Sequence, residues 1–192
     1  MIDDVWLSVR INVKRYRKME ETEDRDGIAK FLYDRFSERY IAPLRSVPPW
    51  DQNGFAVMAL CCLMIEGLEA FRQGWPSTDG LSEEAFKKFF IREERFKMFR
   101  GYEHAFWKSV RCGILHQGES SSGWRIHWNQ FEPIFDPSTL VVNATKFSDE
   151  LAAVLQEYRN LLCKTPWHYE DWRNVRKKME ATIQDCKRNS NV

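Results

Sequence analysis

An arginine and a histidine stand five residues apart in the stretch V-R-C-G-I-L-H-Q-G-E, which runs from Val110 to Glu119. Arg111 is a permanent cation whose planar guanidinium suits phosphate, and histidine is the side chain whose unperturbed pKa lies nearest physiological pH. A pair of this kind can bind a phosphodiester or move the protons that its cleavage requires. Arg111 and His116 are therefore the candidate catalytic residues, and both side chains are expected to face a cleft.

The residues before His116 predict a helix that ends with the motif. Gly118 is expected to stop it, and a polar turn over residues 120–123 follows. Small residues share one narrow stripe of this helix with the histidine: Ala105, Ser109 and Cys112. Because small side chains let another backbone approach, we expect a second helix to pack closely here. Gly113 costs about 1 kcal/mol relative to alanine inside a helix, which suggests that a side chain is not tolerated there.

The same geometry places Arg111 roughly 140° round the helix from His116. The two can meet only because arginine is long and because His116 lies in the last turn, where the helix can open. The helix dipole favours an imidazolium at this end by roughly 0.3–1 kcal/mol, which suits a general acid. A simpler interpretation stays open, in which the spacing arises by chance and the histidine only caps the last carbonyls.

Composition indicates a folded cytoplasmic protein. The chain has 192 residues, 43% apolar and 14% aromatic, which is enough for one domain with a core. The formal net charge is +1, so any nucleic-acid site must be a local basic patch. Five cysteines without a C-x-x-C pair argue against a disulfide framework or a zinc ribbon. The N-terminus lacks a secretory pattern, and the longest apolar run, residues 54–65, is too short to cross a bilayer, so no membrane contact is expected.

Hydrophobic periodicity predicts a mainly α fold, an up-and-down helical bundle with a small β-hairpin inserted after the motif helix. The prediction is a single domain over residues 1–192. Within it, the motif helix lies at about 101–117, the hairpin at about 124–143 and the C-terminal helices at about 145–188.

Further helices are predicted at about 27–44, 53–75 and 82–94, and the second is apolar nearly all round and therefore central. Residues 1–20 form either a short amphipathic helix or a strand. Ser82 is expected to be the N-cap of its helix, and either Asn143 or Thr145 is expected to cap the helix that follows the hairpin.

Glu66 lies within the most apolar predicted helix, in a line of small residues. A carboxylate buried there would need a partner, because burying an unpaired charge is expensive. The alternative is that Glu66 lies near the end of the helix and reaches water. Both interpretations stay open from the sequence.

The string R-C-G-I-L-H-Q-G-E, which ends a helix and follows a strongly apolar one, resembles the higher eukaryotes and prokaryotes nucleotide-binding (HEPN) superfamily. The signature of that superfamily is an arginine, four to six residues, and then a histidine. The tail H-Q-G-E-S before a β-hairpin is similar to its bacterial, defence-associated members. The resemblance covers about residues 27–163. It implies an up-and-down helical bundle that forms a homodimer, with the two motifs facing one another in a cleft.

The resemblance also implies an activity. Many members are metal-independent endoribonucleases, often toxins or antiviral effectors with an antitoxin or defence partner, whereas others only bind nucleotides or proteins. Arg111 would hold the scissile phosphate, and His116 would act as acid or base on the ribose 2′-hydroxyl or the leaving oxygen. The candidate supporting residues are Glu66, Cys112, Lys108 and Gln117. Many active members have Asn, Asp or His where this chain has Cys112.

No metal site and no cofactor are expected, because no other histidine has a ligand-like spacing with a cysteine or an acid. The sequence therefore carries two hypotheses of different classes. The chain is either an RNA-cleaving enzyme or a non-catalytic helical module that dimerises and binds a partner protein or a nucleotide.

Overall fold

The computed structural model describes residues 2–45, 53–128 and 133–189, and these are mainly helical with one small sheet. The chain forms two compact units. The first comprises Met1–Phe36, Ala70–Ser77 and Leu155–Val192, and the second comprises Ser37–Glu69 and Thr78–Val154. The prediction of a mainly α fold is confirmed. The single domain expected over residues 1–192 stays a prediction.

The first unit is built from α1 (Val13–Glu21), α2 (Arg25–Phe36) and α9 (Glu170–Asn189), with the ends of two further helices. Asn12 caps α1, because its Oδ1 accepts a hydrogen bond from the backbone N–H of Arg15 at 2.9 Å. One face of α9 is fully buried, as the spacing predicts: Trp172, Val175, Met179 and Ile183. Before α1 the chain has a 3₁₀ turn, Ile2–Asp4, and an isolated bridge between Trp6 and Asn12, so the N-terminal helix begins later than residues 1–20 suggested.

The second unit contains α3 (Ala42–Arg45), most of α4 (Gly54–Gln73), α5 (Ser82–Arg92) and a 3₁₀ segment, Glu94–Phe99. The motif helix follows as α6 (Glu103–Phe106), a π-helical segment (Trp107–Cys112) and α7 (Gly113–Gln117). Six phenylalanines with no exposed surface pack against one another, with ring centroids 4.8–6.1 Å apart: Phe89, Phe90, Phe96, Phe99, Phe106 and Phe147. This aromatic cluster supports the motif helix from its buried side.

Three strands follow the motif helix: β1 (Arg125–His127), β2 (Phe135–Asp136) and β3 (Val141–Asn143), in the order β1-β3-β2. β1 and β3 pair, but in parallel, so the prediction of a β-hairpin between them is wrong. The antiparallel partner of β3 is β2, which lies in the connection. The long connection explains the difference, because a chain that crosses over before returning pairs in parallel.

α8 (Ala144–Lys164) begins directly after β3. Of the two candidate caps, Asn143 is the one used, since its Oδ1 accepts a hydrogen bond from the backbone N–H of Lys146 at 3.2 Å. The Oγ1 atom of Thr145 instead donates to the carbonyl of Trp128 at 3.3 Å.

By length and composition α4 could cross a membrane, and no other helix in the described ranges could. The 18-residue window with mean hydropathy 1.8 is 67% buried inside the protein, and core helices of soluble proteins pass the same test. The helix predicted at about 53–75 corresponds to α4, and the apolar run 54–65, expected to be too short to cross a bilayer, is only the first part of it.

Candidate functional site

The motif helix is continuous from Glu103 to Gln117, and a π-helical segment in its middle contains Arg111. Gly118 ends the helix with φ +74°, a left-handed conformation that favours glycine, and its N–H donates to the carbonyl of Ile114 at 3.1 Å. The predicted end of the helix is therefore confirmed. π-helical turns interrupt regular helices, and they occur frequently at functional sites.

Arg111 and His116 come together. The Nη1 atom of Arg111 lies 3.4 Å from Nε2 of His116. In a regular α-helix the two residues would point in different directions round the helix axis. They meet here because the arginine side chain is long and because it starts from a π-helical turn, which rotates less per residue. His116 is exposed, but the side chain of Arg111 is only 17% exposed, so only the histidine is open to solvent as expected.

Glu66 is the reason that Arg111 is buried. Its side chain on α4 accepts a hydrogen bond from Nε of Arg111 at 2.6 Å and another from the hydroxyl of Ser82 at 2.9 Å. Glu66 is 7% exposed, so of the two interpretations the buried, partnered carboxylate is correct. The chemistry of a buried carboxylate demanded a partner, but the sequence did not say which one.

Ser82 and Trp107 belong to the site and were not found by the sequence analysis. The prediction that Ser82 caps α5 is wrong, because Leu81 precedes the helix and no side chain caps it. Instead the Ser82 hydroxyl donates to Glu66 and accepts from the indole Nε1–H of Trp107 at 3.0 Å. A serine at the start of a helix usually serves as a cap, so its residue type gave no signal for this longer-range contact.

The local charges are closely coupled. The pKa of Arg111 is raised: burial acts to lower it, and the hydrogen bond and negative charge of Glu66 outweigh burial. The pKa of the Cys62 thiol, one turn before Glu66 on α4, is raised well above its ordinary value by burial and then by its neighbours Cys61 and Glu66. The Sγ atom of Cys112 lies 3.9 Å from Nη1 of Arg111, so a thiol lies beside the guanidinium. The guanidinium thus stays charged while it contacts a carboxylate, a thiol and an imidazole.

The loop after the motif helix covers part of the small-residue stripe. The N–H of Ser121 donates to the carbonyl of Ser109 at 3.0 Å. A Cβ atom added to Gly113 would lie 2.4 Å from the carbonyl oxygen of Glu119. The expectation that Gly113 must lack a side chain is confirmed. At Ser109 and Gly113 the close backbone is the chain's own loop, and the packing of a second helix on the stripe stays a prediction.

Two of the candidate supporting residues lie outside this network. Lys108 and Gln117 are exposed, and neither makes a hydrogen bond or ion pair within the described part of the chain. Lys108 lies one turn before Arg111 and is a free cation near the motif. Among residues 2–45, 53–128 and 133–189, no group of three or more His, Cys, Asp or Glu side chains could hold a metal ion.

The arrangement presents one exposed imidazole beside one largely buried guanidinium. Its Nη1 atom contacts His116 and Cys112, and its Nη2 atom has no partner in the described part of the chain. No family model, curated protein or solved structure matches this chain. The function therefore has to be inferred from these side chains and their chemistry.

Proposed function

We propose that the chain is a metal-independent endoribonuclease of the HEPN type, a toxin or antiviral defence effector that acts in the cytoplasm. The observation that carries the proposal is the placement of the Arg111 guanidinium, anchored by Glu66 at 2.6 Å, with its Nη1 atom 3.4 Å from an exposed His116. A fixed cation beside a side chain that can transfer protons is the minimum that phosphodiester cleavage needs.

The phosphate would meet the outer edge of the guanidinium. Nε donates to Glu66, so the outer edge is formed by Nη1 and Nη2, and a phosphate would displace the long contacts of Nη1 with His116 at 3.4 Å and Cys112 at 3.9 Å. Such an edge matches two phosphate oxygens, and it is a reason for arginine rather than lysine at this position. Glu66 holds the plane of the guanidinium in place, so little ordering of the side chain is required when the substrate binds.

His116 would remove the proton from the ribose 2′-hydroxyl. Because a guanidinium can only donate hydrogen bonds, a hydrogen bond between Nη1 of Arg111 and Nε2 of His116 requires an unprotonated Nε2. Once the substrate displaces that contact, Nε2 would take the 2′-hydroxyl proton and the 2′-oxygen would attack phosphorus. The P–O5′ bond would break and the departing 5′-oxygen would take the proton back from His116, so the products would be a 2′,3′-cyclic phosphate and a 5′-hydroxyl.

A composite site in a homodimer is part of the proposal. α4 carries exposed apolar side chains on the second unit: Phe55 is 36% and Leu63 is 40% exposed, and Leu63 lies one turn before Glu66. An apolar surface that borders the candidate site is suited to a second copy of the chain, whose motif would face the same cleft. The up-and-down order of a HEPN bundle and an antitoxin or defence partner belong to the same proposal.

The test is RNA cleavage by purified protein in EDTA. We expect wild type to cut single-stranded RNA but not the matching DNA, and to leave 2′,3′-cyclic phosphate ends. His116→Ala should abolish cleavage, and Arg111→Lys should reduce it by about 100-fold, since a lysine cannot present two parallel donors. His104→Ala is the matched control, because His104 is exposed on the same helix and pairs with Glu83 instead. Cleavage that survives His116→Ala would show that the site has been assigned wrongly.

The second candidate function is a non-catalytic module that binds a nucleotide or a partner protein. It is favoured by Cys112 next to Arg111 and by the ion pair with Glu66, which offsets the charge of the arginine. Wild type that is folded and dimeric by light scattering at tens of micromolar, yet leaves single-stranded RNA intact, would establish this function instead. A monomer under these conditions would rule out the composite site.

A further inference from the structure

Four hydrogen-bonded contacts join five side chains in the second unit. The indole of Trp107 donates to Ser82 at 3.0 Å, and Ser82 donates to Glu66 at 2.9 Å. Arg111 donates to the same oxygen of Glu66 at 2.6 Å, and its Nη1 atom reaches His116 at 3.4 Å. Ser82 and Trp107 stand furthest from the proposed chemistry.

We propose that Ser82 and Trp107 are positioning residues for the Arg111 guanidinium, an inference that rests on the proposed ribonuclease function. The direction of each hydrogen bond is fixed by the chemistry of the groups. An indole N–H can only donate, so the Ser82 oxygen must accept from Trp107, and its single proton must then point to Glu66. The carboxylate is thereby held from α5 as well as from the motif helix.

The network also encloses the π-helical segment. Trp107 is the first residue of that segment and Arg111 is its last but one. Both are tied to Ser82 and Glu66, on α5 and α4, so the wide turn is held at its two ends from outside the motif helix. A π-helical turn is less favourable than a regular one, and a clamp across it keeps Arg111 at the angle from which it reaches His116.

If the Ser82 hydroxyl only filled space, Ser82→Ala, which replaces it by a hydrogen atom, would have no effect on catalysis. Ser82 is only partly buried, and its hydroxyl is not used to cap α5. Removing it takes away one donor to Glu66 and the acceptor of Trp107 together, while the charge of Arg111 remains. Substrate affinity, which depends mainly on charge, should therefore change little, whereas transition-state stabilisation, which depends on angle, should fall.

The kinetic test uses a fluorescent single-stranded oligoribonucleotide. We expect Ser82→Ala to lower kcat about 10-fold with KM changed less than twofold. Trp107→Phe should lower kcat by a smaller factor. Ser82→Thr, which keeps the hydroxyl, should have the kcat of wild type. Ser138→Ala is the matched control, since its hydroxyl also donates to a carboxylate, that of Asp136 at 2.7 Å, in the same unit. Trp128→Phe is the control for Trp107→Phe, because Trp128 is a 42% exposed indole at the end of β1.

A spectroscopic test reports on the network without catalysis. The side-chain Nε–H resonance of Arg111 and the indole resonance of Trp107, assigned through Arg111→Lys and Trp107→Phe, should both shift and exchange faster in Ser82→Ala. If wild type cleaves RNA and Ser82→Ala keeps full kcat, or loses activity only in proportion to its unfolded fraction, this inference is overturned and the ribonuclease stands. If wild type cleaves nothing, the proposed function fails and the positioning role fails with it.

Discussion

Glu66 and Arg111 form an ion pair that is almost entirely inside the protein, with side-chain exposures of 9% and 17% and a 2.6 Å hydrogen bond between them. A pair at this depth contributes less through its attraction than it costs when one member is removed, because the other charge is then left without a partner. The candidate catalytic arginine is therefore also a structural residue.

Arg111→Ala should destabilise the protein by about 3 kcal/mol, since it leaves the Glu66 carboxylate buried and unpaired. Urea unfolding measures this loss, and adding Glu66→Gln to Arg111→Ala should recover part of it. The matched surface pair is Arg95 with Glu150, where Glu150→Gln should cost only about 0.2–1 kcal/mol because both side chains are about two-fifths exposed. An Arg111→Ala variant as stable as wild type would show that the pair is not what fixes the arginine.

Gly113→Ala should destabilise the second unit, although alanine is the better helix former. The added Cβ would meet the backbone oxygen of Glu119 at 2.4 Å, and a backbone atom cannot rotate away. Overpacking of this kind costs typically 1–3 kcal/mol, which exceeds the gain of about 1 kcal/mol in helix propensity. Thermal or urea unfolding measures whether the free energy of unfolding falls or rises in the variant. A more stable variant would mean that the loop over residues 119–121 moves freely.

Thiol reagents should separate the five cysteines, none of which forms a disulfide in the described part of the chain. Burial raises the pKa of Cys61 to about 12 and that of Cys62 well above its ordinary value, so neither supplies thiolate near pH 8. The half-buried Cys112 and Cys186 should be labelled first by a disulfide reagent, as followed by mass spectrometry. Cys163 should follow them, because burial and then Asp26 raise the pKa of its thiol. In denaturant all five should react alike, and native labelling of Cys61 as fast as that of Cys186 would contradict the prediction.

Asp136 should stabilise the turn between β2 and β3 only above acidic pH. Its carboxylate accepts hydrogen bonds from the hydroxyls of Thr139 at 2.6 Å and Ser138 at 2.7 Å, and these bonds, Thr139 first, lower its pKa. A lowered folded-state pKa means that the stabilisation is fully present above about pH 4, the unfolded value, and is lost as pH falls through the folded value. Carboxyl-carbon NMR titration measures that pKa. The stability difference between wild type and Asp136→Asn should therefore shrink from pH 6 to pH 3.

The helices were predictable because the apolar residues that they bury recur in the sequence at the helical period. The apolar face of α9 is an example, since Trp172, Val175 and Met179 follow the helical spacing and all three are fully buried. The parallel pairing of β1 and β3 was not predictable from the strand residues. These residues determine which faces are apolar, whereas the connection determines the direction of pairing.

The sequence predicted that Arg111 and His116 could meet, but it did not predict all the residues that hold Arg111 in place. Arg111 and His116 carry chemistry in their side-chain types, so their spacing was informative. Ser82 and Trp107 are ordinary residues whose role exists only because α5 brings them to Glu66. The π-helical segment could not be predicted either, since the residues 107–112 are also compatible with a regular helix.

The anchored guanidinium gives the site a handedness. Glu66 fixes one edge of Arg111 and the position of His116 defines which side of the remaining edge faces the imidazole. In the RNA substrate of the proposed ribonuclease the two non-bridging oxygens of a phosphodiester are diastereotopic, and the asymmetric surroundings of Arg111 would distinguish them. A substrate that carries sulfur in place of one of these oxygens exists as two diastereomers, and this arrangement would accept one and refuse the other.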